Sequence, residues 1–176
     1  MNIEREIILI TGGVKSGKSS WALQCGEKIG RKRAFVATAT ALDEEMEHKI
    51  RAHQKQRGDR WTTFEEPREV AGQVEKIAEQ FDVVLVDCLT LWVSNLLTLY
   101  NMTEDTIRQE SQQLAAVLKK SPSPIIVVSN EVSMGIMPAD HVSRRYQTLL
   151  ANTNRDVAAI AGSVYFMISG IAQRIK

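Results

Sequence analysis

Cysteine, proline and aromatic side chains are scarce in this chain, and neither sign of charge is in excess. Two cysteines, Cys25 and Cys88, are too few for a disulfide framework; both sit in apolar contexts and read as reduced and buried. A net charge of +1 leaves no electrostatic case for a nucleic-acid partner or an acidic membrane surface. No apolar run reaches the length of a membrane span, and Met1-Asn2-Ile3-Glu4-Arg5-Glu6 is too charged and too short for a signal peptide. Repeats, linkers and low-complexity stretches are missing as well. Ser121-Pro122-Ser123-Pro124 reads as a stiff turn into a strand, not as a domain boundary. The expectation is one domain over residues 1–176, cytoplasmic, with enough apolar residues to bury a proper core.

The most informative feature present is Gly12-Gly13-Val14-Lys15-Ser16-Gly17-Lys18-Ser19, a G-x-x-x-x-G-K-S pattern directly after the apolar run Ile7–Ile10. A strand, this loop and a helix make a P-loop, whose ligand is a nucleoside triphosphate with magnesium. Gly12, Gly13 and Gly17 let the backbone curl so that successive N–H groups face phosphate oxygens. Lys18 brings a charge to the β- and γ-phosphates, and the Ser19 hydroxyl is a magnesium ligand. The following helix is expected to begin near Lys18, its N-terminus adding positive potential.

Five short apolar runs read as buried strands: Ile7–Ile10, Ala34–Thr38, Val83–Val86, Ile125–Ser129 and Val164–Ile168. Helical spacing fills the intervals at Ser19–Gly30, Leu42–Gln56, Arg68–Gln80, the stripe Leu89/Val93/Leu96/Leu97, Ile107–Lys119 and Val142–Ala161. Alternating strand and helix predicts an α/β fold: a mostly parallel, P-loop NTPase-like sheet with helices on both faces, a RecA-like three-layer sandwich. Ligands then sit at the carboxyl ends of the strands, near Thr38–Asp43, Asp87–Asn95 and Ser129–Asp140.

Val83-Val84-Leu85-Val86-Asp87 has the Walker-B form, a buried run ending in a carboxylate, which makes Asp87 a second magnesium-shell residue. Asp82 lies at the wrong end of that strand. Ser129-Asn130-Glu131 closes the fourth run at the same edge, either as a contact for sugar, base or attacking hydroxyl, or as a strand-end turn. His48 and His53 are five residues apart, so they do not form the i, i+4 zinc pair of a helix. His141 stands alone. His53 lies among Lys49, Arg51, Lys55, Arg57 and Arg60, a setting that favours neutral imidazole and attracts phosphate; the alternative is a solvated helix face balanced by Glu44, Glu45 and Glu47. Trp21, Trp61 and Trp92 read as core or half-buried anchors.

These residues carry a resemblance. The chain resembles the bifunctional adenosylcobinamide kinase / adenosylcobinamide-phosphate guanylyltransferase family of cobalamin biosynthesis. The likeness runs from Ile8-Leu9-Ile10-Thr11-Gly12-Gly13 through Ala37-Thr38-Ala39, Asp43-Glu44-Glu45-Met46, Ile50-Arg51-Ala52-His53 and Trp61-Thr62-Thr63-Phe64-Glu65. It continues with Asp87-Cys88-Leu89-Thr90-Leu91-Trp92-Val93-Ser94-Asn95-Leu96, Ser129-Asn130-Glu131-Val132 and the tail Ser169-Gly170-Ile171-Ala172. It implies two reactions: phosphorylation of the adenosylcobinamide hydroxyl by ATP or GTP, then GMP transfer from GTP through a guanylylated histidine, giving adenosylcobinamide-GDP. It places that histidine at His53, adds Glu65 to the nucleotide site, and implies a trimer. Departures from the family pattern are Lys15 for Arg, Gly58 for Pro, Ser133 for Gly, Tyr146-Gln147-Thr148 for Phe-Arg-Asp, and Ala151 for Gly, with Asn154 retained. They bear on substrate or subunit contacts more than on nucleotide binding. Two other readings are a P-loop kinase for another small molecule, which predicts no GMP on His53, and a nucleotide-binding switch module.

Overall fold

A computed structural model describes residues 5–41 and 43–176. Its strands are β1 (Ile7–Gly12), β2 (Arg33–Ala37), β3 (Thr62–Glu65), β4 (Val83–Asp87), β5 (Ile125–Val128), β6 (Ser163–Ile168) and β7 (Ile171–Arg174). They form one sheet in the order β3-β2-β4-β5-β1-β6-β7, parallel throughout except for the antiparallel β6–β7 pair. The helices are α1 (Lys18–Ile29), α2 (Glu44–Arg57), α3 (Val70–Ile77), α4 (Leu89–Ser94), α5 (Glu104–Lys120) and α6 (His141–Ile160).

The central strands are continuous apolar runs because both faces of a parallel sheet are covered. Along β1, Ile7 and Leu9 join the core shared with α3, α4, α5 and α6, while Ile8 and Ile10 join the opposite core with Ala22 and Leu23 of α1. This is the expected three-layer arrangement with helices on both faces.

Two strands escape the sequence reading, which expects five. β3 and β7 are mostly exposed sheet edges, so they carry no apolar run by which to recognise them. The stripe from Leu89 to Leu97 divides into α4 and a π-turn, Asn95–Leu99, and the segment after Arg68 ends in a 3-10 turn, Ala78–Gln80. α1 begins at Lys18 as expected, entered through Gly17 at φ 94°. Leu42, where the sequence reading starts the second helix, lies outside the described residues, as do Met1–Glu4. α2 starts instead at Glu44, capped by the Asp43 carboxylate, which accepts from the Met46 N–H at 2.7 Å.

Trp61 and Trp92 are buried, and Trp21 is half-buried with its ring 4.6 Å from that of Tyr165. Trp61 meets Phe35 edge-on and lies over Gly26 of α1, where a side chain would collide with its ring. Both cysteines are free thiols, but half-buried, not buried as the sequence context suggests. Among the described residues no helix is long and apolar enough to cross a membrane.

Candidate active site

The carboxyl ends of β2, β3, β4 and β5 open into a cleft of about 900 Å³, with the P-loop on one side and α2 on the other. Val14, Lys15, Ser16, Gly17, Lys18 and Ser19 line it, as do His53, Glu65 and Asp87. Gly12 and Gly13 do not line it. Gly12 is needed for close approach: at φ 144°, a Cβ there would stand 2.5 Å from the Met167 carbonyl oxygen on β6. The freedom expected of Gly13 is not used, since its φ is not positive and nothing crowds it; Lys15 takes the left-handed conformation instead, at φ 57°.

The loop is braced from outside its own sequence. The turn between β6 and β7 donates the Gly170 N–H to the Ser16 carbonyl at 3.0 Å, and the Glu131 N–H donates to the Gly12 carbonyl at 3.1 Å. Lys18 is buried and donates to the Gly13 carbonyl at 2.5 Å. Burial lowers its pKa, with the nearby Asp87 carboxylate opposing.

Asp87 closes β4 beside the P-loop. Burial pushes its pKa up, while the Ser19 hydroxyl bond and the charges of His53, Arg57 and Lys18 pull it down. Its position is fixed by a latch across the sheet. The Thr38 N–H donates to the Asp87 carbonyl at 3.1 Å, and the Thr38 hydroxyl exchanges hydrogen bonds with the Cys88 backbone at 2.8 Å. The buried Asn95 carboxamide ties Thr38 and Pro67 together, donating to their carbonyls at 2.8 and 3.2 Å. Asp82, at the other end of β4, accepts from the backbone N–H groups of Arg31 and Lys32, well away from the cleft, as expected.

α2 lines the cleft with Met46, Glu47, Ile50, Arg51, His53, Gln54 and Arg57. His53 is exposed and His48 takes no part in the lining; neither does His141, at the start of α6. Arg57, part of the basic stretch read either as attracting phosphate or as a solvated helix face, is buried: its guanidinium lies 3.9 Å from the Phe35 ring centroid, and among the described residues its Nε has no hydrogen-bond partner. Burial lowers its pKa, offset by Asp87 and Glu65. Glu65 is itself tied to α2, accepting from the Gln54 carboxamide at 3.1 Å. Nothing in the spacing of Arg57 separates it from its exposed neighbours; only the packing of α2 over Phe35 does.

After β5, the Glu131 carboxylate accepts from the backbone and side-chain donors of Ser133, while Asn130 lines the cleft.

A family model for cobinamide kinase / cobinamide phosphate guanyltransferase matches residues 8–175. The chain belongs to that family. It is 36% identical over 170 residues to the bifunctional adenosylcobalamin biosynthesis protein CobP of Pseudomonas aeruginosa, covering 96% of each chain. It is 33% identical over 183 residues to CobU, the protein of the same description from Escherichia coli, covering 97% of this chain and 99% of that one. Among solved structures it is similar to the flagellar accessory protein FlaH from Methanocaldococcus jannaschii. That likeness has a TM-score of 0.55 at 12% identity over 98% of this chain and 79% of that one. The RadB recombinase gives 0.51 at 20% identity, over 93% and 74%. These two likenesses concern the fold, and they agree with the RecA-like P-loop arrangement expected from the sequence.

Proposed function

We propose that this protein phosphorylates the hydroxyl of adenosylcobinamide with ATP or GTP and then transfers GMP from GTP to the product, giving adenosylcobinamide-GDP. The observation that carries the reading is the meeting of three elements in one cleft: the P-loop, Asp87 and His53, in a chain of this family. In the first reaction the acceptor hydroxyl oxygen bonds to the γ-phosphorus as its bond to the β-phosphate oxygen breaks. In the second, a nitrogen of His53 attacks the α-phosphorus of GTP and pyrophosphate leaves. A phosphate oxygen of adenosylcobinamide phosphate then displaces the imidazole. The covalent carrier divides one difficult transfer into two displacements.

Lys18 stabilises phosphate charge in both reactions, with the P-loop backbone of Gly12 to Ser19 as cradle. Arg57 supplies a second fixed cation and Glu65 holds α2 in place through Gln54. Ser19 and Asp87 offer adjacent hard oxygen donors, a set that suits Mg²⁺ completed by phosphate and water. When bound, that ion neutralises phosphate charge. His53 is exposed at the cleft, which leaves its imidazole accessible to nucleotide.

The family resemblance further supports one domain over 1–176, a cytoplasmic setting and a homotrimer. The exposed Met134, Ile136 and Met137 give apolar surface that a subunit contact would cover. The deciding experiment is incubation with magnesium and GTP alone, followed by intact mass and a peptide map. The expected result is an acid-labile GMP adduct on the peptide containing His53, missing in His53→Ala. Nucleotide binding without an adduct would leave only a P-loop kinase.

A further inference from the structure

The sheet order sets β5 between β1, which carries the P-loop, and β4, which ends on Asp87. Val128, the last residue of β5, is level with Ile10 on one side and with Asp87 on the other. The residues just beyond Val128 therefore emerge between the phosphate loop and the acidic residue. Asn130 is one of them.

Its backbone is held with unusual completeness for a loop. The Asn130 N–H donates to the Thr90 hydroxyl at 2.7 Å, and its carbonyl accepts from the Asn154 carboxamide at 3.0 Å. On either side, the Ser129 N–H donates to Ile10 at 3.0 Å and the Glu131 N–H to Gly12 at 3.1 Å. The Asn130 side chain takes no part in this clamp. It lines the cleft with Lys18, Asp87 and His53, and among the described residues its carboxamide has no hydrogen-bond partner. A backbone fixed on β1, α4 and α6, carrying a half-buried carboxamide with nothing to bond, is built to present that amide to a ligand.

We infer that the Asn130 carboxamide donates a hydrogen bond to the terminal phosphate of a bound nucleoside triphosphate. It thereby orients the γ-phosphoryl for transfer and distinguishes triphosphate from diphosphate. A neutral donor suits this place: Lys18 and Arg57 already supply charge, and an amide fixes direction. The inference rests on the reading of the cleft as a triphosphate site.

The test measures binding of ADP and of its β,γ-imido triphosphate analogue, each with magnesium, to the full chain by calorimetry. Asn130→Ala is expected to weaken the analogue about tenfold, the worth of one hydrogen bond to a charged group, and to leave ADP within about twofold. Asn130→Asp, of the same shape but an acceptor, is expected to weaken the analogue further. The clamp bonds use only the Asn130 backbone, so both variants keep them. Equal losses for both nucleotides, or no loss for the analogue, would overturn the inference, as would wild-type protein that binds neither. A selective loss in protein that does not phosphorylate cobinamide would sustain the inference and sink the proposed function.

Discussion

Asn154→Ala removes the side chain that joins α6 to the end of β5. Its carboxamide oxygen accepts from the Ser129 hydroxyl at 2.6 Å, and its nitrogen donates to the Asn130 carbonyl at 3.0 Å. Ser129 is fully buried and Asn154 is 8% exposed, so water cannot freely replace the lost partner. A buried polar group left unpaired costs about 1–3 kcal/mol. The Asn130 carbonyl belongs to a residue at the edge of the cleft and falls at the low end. The Ser129 hydroxyl has only a stretched alternative, the Asn130 carbonyl at 3.5 Å. The expected loss is therefore about 2–3 kcal/mol, read as a lower urea midpoint at unchanged slope. In a chain of this length it corresponds to a melting temperature lower by roughly 5–10 °C. Ser129→Ala and the double variant complete a cycle whose coupling is expected near 1 kcal/mol. A loss for Asn154→Ala under about 0.5 kcal/mol, or singles that simply add, would refute the clamp.

Gly12→Ala sets a Cβ 2.5 Å from the Met167 carbonyl at a φ of 144°, and should cost about 1–3 kcal/mol in thermal unfolding and weaken nucleotide binding as β1 shifts. Asp87 is held above its ordinary range by burial, so its charged form opposes folding above its folded-state pKa, and this penalty fades as the pH falls toward the unfolded value near 4. Asp87→Asn should accordingly be the more stable protein in urea at pH 7 and lose that advantage in acid; a variant less stable at pH 7 would contradict the sign. Burial raises the thiols of Cys25 and Cys88 to about 11 and about 12. Iodoacetamide at neutral pH should label neither until the chain is unfolded, as mass spectrometry would show.

The sheet was legible where burial on both faces forces an unbroken apolar run, as in Ile7–Ile10, Val83–Val86 and Ile125–Val128. It was illegible at β3 and β7, whose residues mostly face solvent and pair only as edges. The meeting of the P-loop residues and Asp87 in one cleft was legible because both patterns are fixed residue types at a strand's carboxyl end. The latch through Thr38 and Asn95 was not, because its partners lie 57 residues apart in sequence and meet only once β2 and β4 pair.

α2 marks the sharper limit. Its composition is that of a solvated helix, and charge counting treats Arg51, Lys55 and Arg57 alike. The fold separates them: Arg51 pairs with Glu47 at 2.6 Å in solvent, whereas Arg57 sits buried over Phe35. That difference follows from where α2 packs on Phe35, since Arg51, His53 and Arg57 all line the cleft. A buried cation without a hydrogen bond at its Nε is costly unless something anionic shares its surroundings. Asp87 and Glu65 supply part of that charge within the protein. A nucleotide phosphate in the cleft would supply the rest, which ties the seating of α2, and so the reach of His53, to the ligand the P-loop binds.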